Sequence, residues 1–550
     1  MSTSAPTAPP SPPHLERAET VSRGILAGIV SAVVALGVAE LVASISSSWR
    51  SPVIDVGDRV VDLVPSPVKE LAIDWFGTAD KVALLIGIGV LLAVYAAVMG
   101  ILAIGGRRAV GMVGVALFGV VGAVAALVSR DDRSVTAALP SLVGAVAGAG
   151  ALWWLSERSG ATPTTQRDEA DPFVDERGGR RDRRDEPDQP DLATVGTTRR
   201  AFLEGAGMLA AAGVAAAAGG RWLSARFSAT VARAKVVLPR AIRPLEPIPS
   251  STGFDVEGLS TFTTPNDDFY RIDTALTVPQ VDPENWSLRI DGMVDSPMEF
   301  TYAQLLDRDM VEADITLTCV SNEVGGQLVG NARWLGVRLD ELLDEVGVRD
   351  EADQIVGRSV DGYTCGFPVS ALDGRNALVA VGMNGEALPV RHGFPARLVV
   401  PGLYGYVSAT KWLQQIELTR FDAFDQYWVP RGWDAEGPIK TSSRIDTPKG
   451  LGRIPAGTTA IAGVAWAQTR GIDKVEVRVD DGEWEEAQLA DQLSDDTWRQ
   501  WMLPWEATPG QHTVTVRATD GTGAIQTEER SEPIPSGSTG LHQVVVLVDD

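Results

Sequence analysis

Two cysteines, Cys319 and Cys365, and four histidines, His14, His392, His512 and His542, are all that the 550 residues contain. So small a stock excludes a disulfide scaffold and a Cys-rich zinc or iron–sulfur module, and the absence of any C-x-x-C-H run excludes c-type haem. Charged residues amount to only 22% against 45% apolar, which excludes a long disordered or fibrous chain. Basic residues are scarce where nucleic-acid binding would need them. Residues 201–550 carry 29 Lys+Arg against 50 Asp+Glu, a net of −21 out of the chain's −24. An acidic surface of that kind repels phosphate backbones, so no nucleic-acid partner is expected. The length allows three or four domains.

Long apolar runs fill the first third. A Pro/Ser/Thr-rich tail is expected to be disordered over residues 1–23, followed by a four-span membrane block over 24–156. The spans are Gly24–Ile45, Val82–Ile104, Ala109–Val128 and Val135–Leu155. Each is near the roughly 20 residues that a helix needs to cross about 30 Å of hydrocarbon. Arg17 and Arg23 precede the first span, and Arg107 and Arg108 lie between the second and third, which places both sets on the cytoplasmic side; Arg130 and Arg133 fall in an outer turn and weigh mildly against this. None of the spans holds a histidine, so bis-His haem has no place there. Glu40 is the one acid well inside a span, and lies close enough to the interface to snorkel out.

Residues 157–198 form a mixed-charge tract with almost no large apolar side chains, read as a cytoplasmic linker. Next comes Thr197-Thr198-Arg199-Arg200-Ala201-Phe202-Leu203 and a weakly apolar Ala/Gly stretch up to Gly219. Residues 199–223 resemble a twin-arginine export signal, with an ordinary fifth span as the alternative. No A-x-A cleavage site stands out, so the segment is expected to stay as a span and the remainder to face outward. Export by that route moves folded proteins, and so implies a cofactor loaded in the cytoplasm.

The exterior part reads as two domains. Over 239–425, short strand-like runs such as Trp286–Asp291 alternate with helical patterns, indicating a mixed α+β domain. Leu339, Leu342, Leu343 and Val346 recur at i, i+3, i+4 and i+7 before Gly347, the pattern of an amphipathic helix with a glycine stop. Over 437–548 the period changes to two: Val475–Val479 runs into the turn Asp480-Asp481-Gly482, and Thr513–Arg517 runs toward Asp520-Gly521. This predicts an antiparallel β-sandwich of immunoglobulin type.

Cys319 ends a strand-like run, Asp314-Ile-Thr-Leu-Thr-Cys319, before the turn Val320-Ser-Asn-Glu-Val-Gly-Gly326. A thiolate there suits a soft metal or a nucleophile; a lone cysteine is also commonly a small buried hydrophobe. Three separated segments, Asn266-Asp-Asp-Phe-Tyr-Arg271, Cys319-Val-Ser-Asn322 and Arg391-His-Gly-Phe-Pro-Ala-Arg397 running on to Thr410-Lys411-Trp412-Leu413, together resemble the molybdopterin-binding domain of the sulfite oxidase family. The resemblance covers about residues 245–425. Ser443–Asp446, Gly463–Trp466, Val475–Trp484 and Arg517–Asp520 extend it to that family's C-terminal immunoglobulin-like dimerisation domain.

The resemblance implies a molybdenum–molybdopterin cofactor, with Cys319 as the metal ligand. It implies that Asn266, Tyr270 and Arg271 wrap the pterin, that His392 and Arg397 contact it, and that Thr410 and Lys411 hold its phosphate. A cationic fork plus a lysine suits a dianion. Read without the resemblance, His392 is a satisfied loop histidine, and Arg397 and Lys411 form ordinary ion pairs. Sulfite oxidases proper carry an arginine pair after the metal cysteine and another arginine before the pterin-loop asparagine. Here stand Glu323-Val324 and Pro265, and Tyr406-Val407 replace a third basic residue. A sulfite dianion would lose most of its positive pocket.

Glu323, Tyr404, Tyr427, Arg431 and Trp433 are candidates to border the metal face, Tyr404 and Arg431 as catalytic groups, with interdomain packing as the alternative for the 427–433 stretch. Cys365 reads as a core thiol. The expectation is a membrane-anchored oxidoreductase performing two-electron oxo transfer on an extracytoplasmic small molecule, as oxidase or as sulfoxide-type reductase. Without haem or iron–sulfur motifs, its electrons pass to a separate partner, a protein or the quinone pool. Homodimerisation is implied by the resemblance alone. The competing reading is a surface binding or adhesion protein with an inactive enzyme domain.

Overall fold

In the computed structural model, which describes residues 13–46, 49–64, 68, 75–76, 80–128, 135–159, 192–225 and 228–550, the chain divides into two units, Met1–Arg226 and Phe227–Asp550. Most of the expected linker, the turn bearing Arg130 and Arg133, and residues 1–12 of the expected tail lie outside the described residues.

The first unit is helical: α1 (Pro13–Ala43), α2 (Pro52–Leu63), α3 (Asp80–Ile104), α4 (Arg108–Leu127), α5 (Leu139–Arg158) and α6 (Leu192–Ala225). Five of its segments are long and apolar enough to cross a membrane by length and composition. Helix α1 begins well inside the stretch expected as a disordered tail. Glu19 pairs with Arg23 one turn later at 2.7 Å, and extending an existing helix costs little once it is nucleated. Helix α2 has no counterpart in the span reading; Pro52 opens it and Asp55 is buried in its first turn. Glu40 is half-buried, and its carboxylate accepts from the Ser51 hydroxyl at the start of α2.

Small residues let these helices meet backbone to backbone. A Cβ at Gly28 would fall 1.9 Å from the Ala96 carbonyl oxygen, and one at Gly37 2.0 Å from that of Gly213. The Ala/Gly content of α6 is therefore also a packing feature. Its segment is about as apolar as Val135–Arg158, so weak apolarity does not set it apart from that earlier span.

The second unit has two lobes. In the first, β1 (Ser287–Gly292), β2 (Met298–Thr301), β5 (Gln354–Ser359), β6 (Thr364–Pro368) and β10 (Leu413–Thr419) make a mixed sheet in the order β2-β1-β10-β5-β6, with β1 and β10 parallel. A second sheet runs β3 (Val311–Thr318), β4 (Val329–Arg338), β7 (Leu378–Met383), β8 (Glu386–Ala387), and β9 (Arg397–Val399) pairs with β7. Helix α7 (Leu339–Val346) buries Leu339, Leu342, Leu343 and Val346, and Gly347 closes it at φ 69°. The other helices of this lobe are single turns, so it is more β-rich than the alternating pattern suggested.

The second lobe places one sheet, β11 (Ser442–Thr447), β13 (Gly457–Trp466), β17 (Arg499–Ala507) and β16 (Gln488–Leu489), with another built on β12 (Arg453–Pro455), β19 (His542–Asp549), β18 (Gly510–Asp520), β14 (Ile472–Val479) and β15 (Glu485–Glu486). Ile461, Trp501, Val475, Val516 and Val546 fill the core between them.

The second lobe reaches the first through a buried arginine on β11. Arg444 pairs with Asp446 of the same strand at 2.6 Å, both side chains almost fully buried, and donates across to the Gly326 carbonyl of the first lobe at 3.0 Å. His542 accepts the Ile445 N–H on Nδ1 at 2.9 Å. Burial and the nearby Arg444 hold its pKa down at about 4, so the ring is neutral. The unfolded chain takes up that proton at its ordinary pKa near 6.5, so stability is constant above pH 6.5 and falls between pH 6.5 and 4. Two and a half units correspond to about 3 kcal/mol for this group. In His542→Asn, which keeps an acceptor but cannot titrate, acid melting curves are expected to lose that part of the drop; an identical pH slope would count against it.

Candidate active site

Strand β3 is buried along most of its length and ends at Thr318, so Cys319 leaves the sheet at its edge. The Cys319 N–H donates to the Leu328 carbonyl at 2.9 Å and its own carbonyl accepts from Asn322 N–H at 3.1 Å. Asn322 Oδ1 then takes the Leu328 N–H at 2.7 Å, and Gly325 turns the chain at φ 80°. This tight loop aims the cysteine sulfur into a cleft of about 720 Å³. Burial raises the Cys319 thiol above its ordinary pKa, and the Ser321 hydroxyl 3.0 Å away partly offsets this.

The opposite wall comes from the turn Val390–His392 and strand β9. Gly393, at φ 115°, allows the reversal; a Cβ there would lie 3.1 Å from those of Arg397 and Lys411. His392 is buried, with Nε2 2.9 Å from the Asn266 carbonyl. Burial, then the charge of Arg397, depresses its pKa to about 4. The neutral ring donates to that carbonyl.

Arg397 is 5% exposed. Its Nη1 donates to the His392 carbonyl at 3.1 Å and its guanidinium lies 4.9 Å from the centre of the Trp334 ring. Among the described residues no carboxylate pairs with it. Burial lowers its pKa to about 10. Tyr270, stacked on Phe269 at 5.3 Å, faces the same cleft, its phenol raised chiefly by burial. Thr274 Oγ1, on the cleft wall, is buried without a hydrogen-bond partner. A cation without a counter-ion and an orphaned hydroxyl, with a thiol at one end, fit an elongated anionic cofactor bearing a thiophilic metal. The cleft is lined by residues that would hold such a group.

Five of the residues picked from sequence thus converge on the cleft: Tyr270, Cys319, His392, Arg397 and Lys411. Others go elsewhere. Thr410 points away, its hydroxyl 2.7 Å from Cys365 Sγ, because neighbours in an extended chain face opposite sides. Lys411 faces the cleft but pairs with Asp273 and donates to the Ile272 carbonyl at 3.0 Å. Asp273 also holds Arg271 at 3.0 Å. Asn266 turns its amide to Glu386 at 2.6 Å and offers the site only its carbonyl. Arg431 caps the Tyr427 ring at 3.7 Å and donates to the Tyr427 carbonyl, so it packs on an aromatic and does not line the cleft. Tyr404 lines a different cavity, between the lobes.

Sequence reasoning passed over Asp273, Thr274, Tyr363 and Trp428, all on the cleft wall. Tyr363 donates to the Tyr406 carbonyl at 2.6 Å. The signal was available: Tyr363 follows the Asp361-Gly362 turn between β5 and β6, at the same sheet end that delivers Lys411 and Trp412.

Residues 275–428 match the oxidoreductase molybdopterin binding domain. The chain is similar to an uncharacterized oxidoreductase, YuiH, of Bacillus subtilis, 31% identical over 156 residues, 28% of this chain and 76% of that one. It is also similar to the mitochondrial sulfite oxidase of Drosophila melanogaster, 30% identical over 294 residues, which takes in 45% of this chain and half of the relative's length. The crystal structure of the sulfane dehydrogenase SoxCD from Paracoccus pantotrophus superposes with a TM-score of 0.47 at 21% identity, covering 57% of this chain and 91% of that one. The alignment with YuiH, taken with the domain match and the cleft, leads to one conclusion: this chain is a molybdopterin-binding oxidoreductase and belongs to the sulfite oxidase family.

Proposed function

We propose that this chain is a membrane-anchored molybdenum oxidoreductase that performs two-electron oxo transfer on a small extracytoplasmic molecule. The observation that carries the reading is Arg397, a buried guanidinium with no carboxylate paired to it among the described residues, in a cleft that Cys319 also lines. When bound, the molybdenum cofactor supplies the two-electron redox chemistry. The chain's own residues hold and orient it. Cys319 offers a thiolate ligand. His392, kept neutral, fixes the Asn266 loop without adding charge, and Arg397 neutralises the anionic group. Tyr270 and Trp412 wall the cleft against water, and Lys411 with Asp273 forms its polar side. Thr410 and Arg431 drop out of this assignment.

In the same reading, Arg199 and Arg200 act as a twin-arginine export signal, and the remainder of the chain faces outward. The β-rich lobe is an immunoglobulin-like dimerisation domain. Electrons leave to a separate protein or to the quinone pool. Only the basic flanks, the five apolar segments and the two-sheet lobe support these parts.

Metal analysis of the purified chain is expected to give one molybdenum and one pterin per chain; neither, from a cofactor-competent host, would remove the enzyme reading. Cys319→Ser is expected to keep the melting temperature and the pterin while losing turnover, and unchanged turnover would remove the ligand assignment. In Arg397→Met the cofactor-free chain is expected to melt at the same temperature or higher, since an unaccompanied buried charge is gone, while cofactor retention falls roughly tenfold or more. Changing Arg199 and Arg200 together to lysine is expected to strand the second unit on the cytoplasmic side, read by protease accessibility; normal export would refute the signal.

A further inference from the structure

The helical unit holds a cavity of about 770 Å³ to which α1, α2, α3, α4 and α5 all contribute. Among the described residues that line it there is no Lys, Arg, Asp or Glu. Only two side chains give this apolar wall any polarity, Tyr95 of α3 and Ser141 of α5. Tyr95 donates to the Gly114 carbonyl at 2.9 Å, and its ring lies 6.0 Å from that of Phe118, tilted by 35°. Ser141 is 5% exposed, and among the described residues its hydroxyl has no hydrogen-bond partner. That hydroxyl faces α4, since a Cβ at Gly122 would lie 2.7 Å from its oxygen. Gly114, Phe118 and Gly122 are four residues apart on α4, so they follow one another along one face at about 6 Å per step. The aromatic pair and the unpartnered hydroxyl therefore lie about one helical turn apart on the same wall.

A hydroxyl buried among apolar helices without an acceptor is costly, because no water is there to take its proton. This wall is therefore complemented by a ligand that brings a neutral oxygen acceptor. A phospholipid headgroup brings charges that find no counter-charge here. An acyl chain fills the space but leaves Ser141 unsatisfied and takes no advantage of the ring pair. A lipid with a flat ring, ring carbonyls and an apolar tail answers every feature at once. Its ring packs by Tyr95 and Phe118, a carbonyl accepts from Ser141, and its tail runs along the small and apolar side chains Ala32 and Leu36 of α1. Membrane quinones are that class of molecule.

We propose that this cavity is a quinone-binding site within the helical unit, with Ser141 as the donor to a ring carbonyl. The inference rests on the oxidoreductase reading only for naming the quinone as the electron partner; the binding itself does not require the metal. The probe is decylubiquinone, equilibrated with the full-length chain in lipid nanodiscs, and bound quinone per chain is read by absorbance after extraction, against empty discs. The wild type is expected to bind one quinone per chain saturably. Ser141→Ala is expected to bind roughly tenfold more weakly and to melt at the same temperature or higher, since only an unpartnered hydroxyl is lost. Ala32→Phe, which fills the cavity from α1, is expected to lose saturable binding. Decylbenzene, which has the ring and the tail without the carbonyls, is expected not to displace the quinone. Retention no greater than in empty discs, wild-type affinity in Ser141→Ala, or displacement by decylbenzene as effective as by the quinone itself overturns the site. Molybdenum bound without quinone removes this site and keeps the oxidoreductase. Quinone bound without molybdenum keeps the site and removes its redox role.

Discussion

A guanidinium removed from water and given no carboxylate is the constraint around which this site is organised. Leaving Arg397 charged at depth costs several kcal/mol that backbone carbonyls and a ring face do not fully return. The surroundings limit that cost in specific ways. Trp334 lies under the guanidinium, the His392 carbonyl accepts from it, and His392 itself is uncharged. A second cation beside the first would make the cleft unstable even with an anion bound. Lys411 and its neighbour across Asp273, Arg271, are by contrast already balanced by that carboxylate. The positive charge left for an anionic ligand is therefore concentrated at Arg397, buried in the wall of the cleft that Cys319 also lines.

The thiol end of the cleft depends on the second lobe as much as on the first. The turn after Cys319 is gripped from outside its own sheet: Arg444 on the Gly326 carbonyl, Ser538 on that of Asn322, and the His542 ring against Gly325, where a Cβ would lie 2.3 Å away. Gln468 reaches the Thr316 carbonyl at 2.8 Å just upstream. A side chain carried on a strand end would otherwise fray with it. Burying the Arg444–Asp446 pair of β11 is costly, and it holds Arg444 where it reaches the Gly326 carbonyl of the first lobe, whose apolar core also takes in Val464, Trp466 and Trp498 of the second.

What the sequence made legible was whatever local chemistry decides. Helix α7 follows from four leucine and valine positions and a glycine. The hairpin-like alternation of Val475–Val479 and Thr513–Arg517 follows from period two, and those runs pair directly in the structure. Cys319, His392 and Arg397 were legible because their segments carry recognisable residue orders. Thr410 was misassigned for a reason of parity. Thr410 and Lys411 are neighbours, and only the pairing of β10 with β5 decides which of them faces the cleft. Arg431 was placed by its aromatic company, and that company absorbed it. Thr274 and Asp273 carry no local signal, since their importance comes from what the fold leaves unsatisfied around them.

The Ala/Gly run in α6 shows how one composition can answer two demands. Low apolarity is what an export signal of the twin-arginine kind needs, because a strongly partitioning helix would enter the bilayer by the ordinary route. Close packing on α1 needs the same residues: Gly213 meets Val33 and Gly37, and Gly220 meets the Glu40 backbone. The Val135–Arg158 segment, comparably weak in apolarity and without an arginine pair ahead of it, buries Gly144 and Gly148 against α1 in the same manner. Composition by itself therefore carries no information about the route of export. What distinguishes the two segments is Arg199-Arg200 alone. In the folded chain Arg200 pairs with Glu204 one turn away and Arg199 lies 3.9 Å from Glu19, exposed pairings that contribute little to the bundle.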